Sequence, residues 1–165
     1  MDFGIDPTDE VVALYRQINW DHWRRLETGE LDREQVRVGR FAVLFAQLGM
    51  TGNALECADT YVKYLSQGHK FLPGADETLK RLAEKYRLFL VTNGNPPVQY
   101  SRLESADLSK YFEKICGATL DGSRSSKSDV IAYLLAQVDD IYQTIMVGDT
   151  TYDVIGAAKH GIETI

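Results

Sequence analysis

The strongest constraint on the fold is a change in the spacing of apolar residues at Pro73-Gly74. Before this point, apolar residues recur every three or four positions, which is typical of amphipathic helices. After it, short continuous apolar runs alternate with helical stretches, and the clearest run covers residues 88–91. Strands that alternate with helices indicate a parallel sheet with helices on both faces. The spacing therefore predicts an α/β fold preceded by a helical region.

Turn signals and capping residues predict the individual elements. The helical region covers residues 8 to about 65 and contains three or four helices without a strand, and Asp32 lies where the N-cap of one helix is expected. Strands are predicted at residues 88–91, 115–118 and 144–147, and a further strand begins at 163–165. Helices are predicted at residues 75–85, 98–106, 128–138 and 154–160. We therefore expect two domains, a helical one over residues 1–70 and an α/β one over residues 71–165.

Composition and charge exclude several classes of protein. The chain has 165 residues, of which 44% are hydrophobic, and this is enough for one core. The net charge of −6 and the scattered Lys and Arg residues argue against binding to nucleic acid. The two cysteines lack the spacing of a zinc site or a disulfide framework, and no apolar stretch has the length of a membrane span. We therefore expect a soluble cytoplasmic protein that binds neither nucleic acid nor membranes.

Polar residues directly after the predicted strands are candidates for ligand binding, because ligands of open parallel sheets bind beyond the carboxyl ends of the strands. Thr92, Asn93 and Gly94 follow the first run. Their hydroxyl and backbone N–H groups could hold a phosphate oxygen. The same three residues also fit a simple turn at the end of a strand.

Two carboxylates and a lysine are the other candidates. Asp149 and Asp153 follow the run at residues 144–147, and their spacing would let both face one Mg²⁺ ion. Alternatively, Asp149 caps the next helix and Asp153 is a first-turn charge favoured by the helix dipole. Lys127, in the predicted loop at residues 125–128, could neutralise a phosphate and these carboxylates, or could simply be solvated.

The helical region offers weaker candidates. Four aromatic residues are more typical of a helical core than of a substrate pocket, namely Trp20, Trp23, Tyr61 and Tyr64. Three arginines are expected on a solvated face rather than at a substrate anion, namely Arg24, Arg25 and Arg40.

The order and spacing of these segments resemble the haloacid dehalogenase-like (HAD) phosphohydrolases. The resemblance begins at Phe71-Leu72-Pro73-Gly74 and continues through Thr92, Lys127 and the motif Gly148-Asp149-x-x-x-Asp153. It implies a Rossmann-like parallel sheet with a small α-helical cap formed by the first region. Residues 20–41 look like caps of nucleotidase-like members, and residues 152–157 look like the phosphoglycolate-phosphatase branch.

The resemblance also implies roles for these residues. In the family, an aspartate attacks phosphorus to form an aspartyl phosphate, and a second acid two residues later protonates the leaving group and activates water. By this resemblance, Asp149 is a Mg²⁺ ligand and Asp153 ligates indirectly or orients Lys127. Thr92, Asn93 and Lys127 bind phosphate, and Lys127 and Asp153 are the catalytic residues. The implied function is Mg²⁺-dependent hydrolysis of a small cytoplasmic phosphomonoester.

The chain departs from the family at its first motif, a strand that ends in Asp-x-Asp-Gly-Thr. The nearest aspartates, Asp2 and Asp6, are four positions apart and follow no apolar strand. The simplest interpretation is that the chain begins after that strand. In the family this strand lies between the strands that carry Thr92 and Asp149, so we expect a sheet that is open in the middle. Its unpaired edges would favour a homo-oligomer.

Two other functions remain open on the sequence. A non-catalytic fragment would bind Mg²⁺, a phosphorylated ligand or a protein partner without turnover, and the missing nucleophile favours it. A receiver-like or dinucleotide-binding module is a weaker alternative, because the sequence has neither an acidic cluster after a first strand nor a G-x-G-x-x-G turn.

Overall fold

The computed structural model describes residues 3–68, 70–119, 121–139 and 143–165. Asp2, one of the aspartates considered above, lies outside these ranges. The chain divides into two compact units, unit 1 up to Tyr64 and unit 2 from Leu65 onward. The assignment of the first region as a cap stays a prediction.

Unit 1 is built from helices. They are α1 (Asp9–Glu27), α2 (Arg33–Gln47) and α3 (Ala54–Gln67), whose last residues extend past the unit boundary. The Thr8 side chain caps α1 by accepting a hydrogen bond from a backbone N–H group. Asp32 caps α2 in a reciprocal arrangement with Gln35, because each side chain accepts a hydrogen bond from the backbone N–H of the other. The predicted helices and the Asp32 N-cap are therefore confirmed.

The core of unit 1 is largely aromatic. Phe41, Phe45 and Ala58 are buried, and Tyr15 and Tyr61 pack against them. The ring centroids of Tyr15, Phe41 and Tyr61 lie 5.5 to 5.9 Å apart. These distances are typical of favourable ring packing, so the rings fix the spacing of the three helices.

Arg40 is buried in this aromatic core, with 6% of its surface exposed. Its Nη1 donates a hydrogen bond to Asn19 Oδ1 at 2.6 Å, and its guanidinium lies 5.0 Å from the Phe41 ring centroid and 4.9 Å from that of Tyr61. Among the described residues no carboxylate pairs with it. The prediction that Arg40 lies on a solvated face is therefore wrong, because the ring faces and an amide oxygen stabilise the charge inside the unit.

The prediction that the aromatic residues of the helical region lie in its core is also wrong for two of them. Trp20 is 66% exposed and Tyr64 is 62% exposed. Trp20 lies instead beneath the guanidinium of Arg24, which is 5.9 Å from its ring centroid. Helical spacing identified the correct face for Tyr61 but not for these two residues.

Unit 2 contains helices and short strands in alternation. Its helices are α4 (Ala75–Ala83), α5 (Pro96–Ser105), α6 (Lys127–Leu135) and α7 (Thr151–Ala158). Its strands are β1 (Phe89–Thr92), β2 (Lys114–Gly117), β3 (Ile145–Met146) and β4 (Glu163–Thr164). In the described part of the chain, no helix combines the length and apolar character needed to cross a bilayer. The α/β fold class is confirmed.

The strands pair in parallel, as predicted. Leu90 lies opposite Ile115 in the β1–β2 pair, and Met146 lies opposite Thr164 in the β3–β4 pair. Among the described residues the four strands form two separate two-stranded sheets, and the division falls between the strand that ends at Thr92 and the strand before Asp149. This is where the sequence predicted an open sheet.

The two sheets differ in how well they are covered. The β1–β2 pair packs against α6, and Cys116, Val130 and Leu134 form the buried core there. In and after β3, by contrast, Ile145 is 58% exposed and Val147 is 72% exposed. The apolar run that predicted a buried strand is therefore only partly covered by the described residues.

We expect Arg40→Ala to destabilise unit 1 by about 2 kcal/mol, because it removes a buried cation from two ring faces and leaves the Asn19 oxygen without its donor. Arg24→Ala is the matched control, since Arg24 contacts a ring and a carboxylate at the surface. Its loss should be at most about 0.5 kcal/mol. Urea unfolding followed by helical circular dichroism measures both values, and equal losses would contradict this account of Arg40.

Candidate active site

A buried ion pair joins two helices of unit 2. Lys127 Nζ lies 2.9 Å from Asp153 Oδ1, and the two side chains are only 12% and 7% exposed. Lys127 is the first residue of α6 rather than part of the preceding loop, because Ser126 is the N-cap and pairs with Asp129 in a capping box. The structure therefore brings together two of the predicted site residues, and the solvated alternative for Lys127 is wrong.

Asp153 is held by the start of its own helix. Thr150 is the N-cap of α7, and Asp153 Oδ2 accepts hydrogen bonds from Thr150 N at 3.1 Å and Thr150 Oγ1 at 2.7 Å. The N-cap is thus Thr150 and not Asp149. Both Asp153 oxygens are engaged, one by Thr150 and one by Lys127. This arrangement fits the role of orienting Lys127 better than direct binding of a metal ion.

The environment of Asp153 sets its charge. Burial on its own raises the pKa of this carboxyl, but the hydrogen bonds from Thr150 and Lys127 together with the lysine charge outweigh burial. The pKa of Asp153 therefore lies below its ordinary value. The carboxylate is ionised at neutral pH and keeps a fixed negative charge beside the Lys127 ammonium.

Lys127 also connects β1 to α7. Its Nζ donates a hydrogen bond to the Val91 carbonyl oxygen in β1, at 3.3 Å. The same nitrogen pairs with Asp153, which lies just after β3 in the chain. An ammonium group has three N–H donors, so these two contacts leave one for another acceptor.

Thr92 is the last residue of β1 and organises the turn that follows. Its Oγ1 accepts a hydrogen bond from Gly94 N at 3.0 Å, so its own O–H remains able to donate to another group. The helix α5 then begins with Pro96 and Pro97, which have no N–H to offer. The described residues at this strand end that could donate to a bound anion include Thr92, through its hydroxyl, and Lys127, through its ammonium.

Two glycines allow the close packing of the ion pair. A Cβ atom at Gly148 would lie 2.4 Å from Asp153 Cβ, and one at Gly156 would lie 2.9 Å from Lys127 Cγ. Sequence reasoning did not assign Gly156 or Thr150 to the site. The pattern Thr150-x-x-Asp153 is that of a capping box, so the role of Thr150 could have been predicted from the sequence. The Gly156 contact could not, because it depends on Lys127, a residue 29 positions away.

Asp149 is the remaining candidate for a metal ligand. It is exposed and directly follows Gly148, which packs on Asp153. The described residues contain no group of three or more His, Cys, Asp or Glu side chains arranged around a metal position. Mg²⁺ is commonly held by one or two carboxylates together with phosphate and water, so Asp149 fits part of such a site.

We expect Lys127→Met to lower the free energy of unfolding by about 3 kcal/mol at pH 7, because it leaves a buried carboxylate without its cation. The pKa of Asp153 is lowered in the folded protein. Its stabilising contribution is therefore present above the unfolded-state pKa near 4 and is lost as the pH falls through the lower folded-state value. The difference between wild type and variant should thus shrink from pH 7 to pH 3.

Urea unfolding at both pH values tests this expectation. Lys110→Met is the control, because Lys110 and its partner Asp107 are exposed. Its effect should be small at either pH, because water screens an exposed ion pair. A Lys127→Met loss that is the same at pH 7 and pH 3 would show that the ion pair is not its cause.

Comparison with known proteins places this geometry in a family. The family model of haloacid dehalogenase-like hydrolases matches residues 30–165. HAD-hydrolase YfnB of Bacillus subtilis is 28% identical over 166 residues, which cover 99% of this chain and 71% of YfnB. Pyrimidine 5'-nucleotidase PynA of Streptococcus pneumoniae is 30% identical over 168 residues, which cover 98% of this chain and 70% of PynA.

A solved structure supports the same assignment. The crystal structure of YfnB bound to magnesium has a TM-score of 0.88 and 26% identity to this chain, and the match covers 97% of this chain and 73% of that one. The family model, the sequence relatives and the structural match agree. The chain therefore belongs to the haloacid dehalogenase-like hydrolase family and is related to its nucleotidases and phosphatases.

Proposed function

We propose that this chain provides the phosphate-binding and Mg²⁺-binding side of an active site that hydrolyses a small cytoplasmic phosphomonoester. The observation that carries the proposal is the buried Lys127–Asp153 pair, whose ammonium also contacts Val91 near the end of β1. A cation held near a strand end by a buried carboxylate is suited to an anionic ligand, because its position is fixed before the ligand arrives.

Lys127 would bind a phosphoryl oxygen with its remaining N–H donor. The Thr92 hydroxyl, at the end of the strand whose Val91 carbonyl contacts Lys127, would donate a second hydrogen bond. The backbone N–H of Asn93 is a third candidate donor. Asp153 would keep the ammonium oriented, since its carboxylate pairs directly with Nζ.

Asp149 would hold Mg²⁺ together with oxygens of the bound phosphate. A bound Mg²⁺ ion would supply charge neutralisation at the phosphoryl group. YfnB, a relative with a similar fold, was crystallised with magnesium, which supports this choice of metal.

The nucleophile is the part of the reaction that these residues do not provide. No Asp-x-Asp pair occurs anywhere in the 165 residues. A phosphate held by Lys127 and Thr92 would then lack the carboxylate that attacks phosphorus in the aspartyl-phosphate mechanism. This observation favours a second candidate function, in which the chain binds Mg²⁺ or a phosphorylated ligand without turnover.

Nucleoside monophosphates are the first substrates to test. The relative PynA is a pyrimidine 5'-nucleotidase and aligns with 98% of this chain. We therefore propose that the substrate class includes nucleotides with a 5' phosphate.

We expect no measurable hydrolysis of p-nitrophenyl phosphate or of nucleoside monophosphates by this chain alone. An extended version that carries an upstream strand ending in Asp-x-Asp-Gly-Thr should gain Mg²⁺-dependent turnover. In that version, Lys127→Ala and Asp149→Ala should abolish activity, because they remove the phosphate cation and the metal ligand. Phosphate release measured with and without Mg²⁺ checks each outcome.

Lys110→Ala in the extended version is the matched control, since Lys110 is an exposed lysine paired with Asp107 outside the site. It should keep full activity. An extended protein that is folded and binds Mg²⁺, yet hydrolyses none of a broad panel of phosphomonoesters, would refute the hydrolase proposal. The binding function would then replace it.

Metal binding has a test on the chain as it stands. Calorimetry should detect weak Mg²⁺ binding that strengthens when inorganic phosphate is added, because Mg²⁺ is held best by carboxylates and phosphate together. Asp149→Asn should remove this binding, and Asp121→Asn, a change at an exposed aspartate in another loop, should not. Equal Mg²⁺ binding by wild type and Asp149→Asn would exclude Asp149 as a ligand.

A further inference from the structure

We infer that His160 is a positioning residue for Lys127. His160 lies just beyond the end of α7, and its side chain contacts Ser128, the residue that follows Lys127 at the start of α6. His160 makes no direct contact with the proposed phosphate site. The inference rests on the proposed function of Lys127 as the phosphate-binding cation.

The contact is a hydrogen bond to two atoms of one residue. His160 Nε2 lies 3.0 Å from the Ser128 hydroxyl oxygen and 3.0 Å from the Ser128 carbonyl oxygen. A carbonyl oxygen can only accept a hydrogen bond, so the Nε2 atom must carry the hydrogen. The imidazole therefore donates to the backbone of α6 one residue after Lys127.

A second contact from α7 reaches the same turn of α6. Gly156 lies one helical turn before His160, and a Cβ atom there would lie 2.9 Å from Lys127 Cγ and 3.3 Å from Ser128 N. Gly156 thus permits the close approach of the two helices, and His160 fixes the register between them. Together they hold the backbone from which the Lys127 side chain extends.

The position of this backbone matters because the Lys127 side chain is held at three points along its length. Its stem passes Gly156, and its Nζ reaches both Asp153 and Val91. A shift of the first turn of α6 would lengthen one or both of these contacts. His160 therefore acts on the site through Ser128 and the α6 backbone, and not by contact with the ligand.

Replacement of His160 by glutamine and by asparagine separates this role from simple packing. The glutamine amide can place an N–H donor near the position of Nε2, whereas the shorter asparagine amide cannot. We expect His160→Ala and His160→Asn to raise the Asp153 carboxyl pKa toward its ordinary value and to speed hydrogen exchange at Lys127 Nζ. His160→Gln should restore both values. Carbon and nitrogen NMR signals of the two side chains measure them.

Binding of inorganic phosphate gives an independent readout on the same chain. Calorimetry should show affinity about tenfold weaker in His160→Ala and His160→Asn than in wild type or His160→Gln, as for other residues that orient a binding group. Lys159→Ala is the control, because Lys159 is an exposed neighbour of His160. It should change neither the NMR signals nor the affinity.

The outcomes distinguish this inference from the proposed function. Unchanged Lys127 and Asp153 signals in folded His160→Ala or His160→Asn would overturn the positioning role, even if phosphate binds. Signals that move as expected, in a wild-type chain that binds no phosphate, would retain the positioning role and refute the function proposed for Lys127. If His160→Ala unfolds, the comparison of His160→Gln with His160→Asn tests the positioning role instead. Identical Lys127 and Asp153 signals in these two variants would refute the inference.

Discussion

The ion pair between Lys127 and Asp153 is the interaction on which the rest of unit 2 depends. Moving two charges out of water costs several kcal/mol per ion, and their attraction offsets this cost only when the remaining donors and acceptors are also satisfied. Here Thr150 engages the second Asp153 oxygen and the Val91 carbonyl engages Lys127. The capping box of α7 and the binding of the lysine thus share one carboxylate. A change at the start of α7 would alter both the helix and the site.

The two units stabilise a buried cation in different ways. Lys127 is paired with a carboxylate, whereas Arg40 lies against two aromatic rings and an amide oxygen. The difference follows from the chemistry of the groups. A guanidinium is planar and weakly hydrated, so ring faces can replace much of its water, but a compact ammonium loses more on burial and needs an anion. The Arg40 cluster therefore holds helices together without creating the paired charges of a reactive site.

The sequence predicted the order of the elements, because periodicity and turn residues are local signals. The contact between Asp153 and Lys127 was implied by the family resemblance, as one of two possible roles for Asp153. It did not predict the burial of Arg40, since spacing identifies a helix face but not what packs against it. The prediction that Trp20 and Tyr64 belong to the helical core was wrong for the same reason. The contact between His160 and Ser128 joins residues 32 positions apart and has no sequence pattern of its own. The start of α6 at Lys127 was missed by one residue, although Ser126 is a common N-cap.

The separation of the two sheets bears on which residues would bind the ligand and which would carry out the reaction. In the described residues, β1–β2 and β3–β4 are not paired with each other, yet the Lys127 contacts to Val91 and Asp153 extend across the division. Of the groups proposed to hold phosphate, Lys127 is thus positioned by helix starts and two glycines, and Thr92 by the end of β1. On the proposed function, the described residues would hold phosphate, and the strand that carries the family's nucleophile would supply the attacking carboxylate.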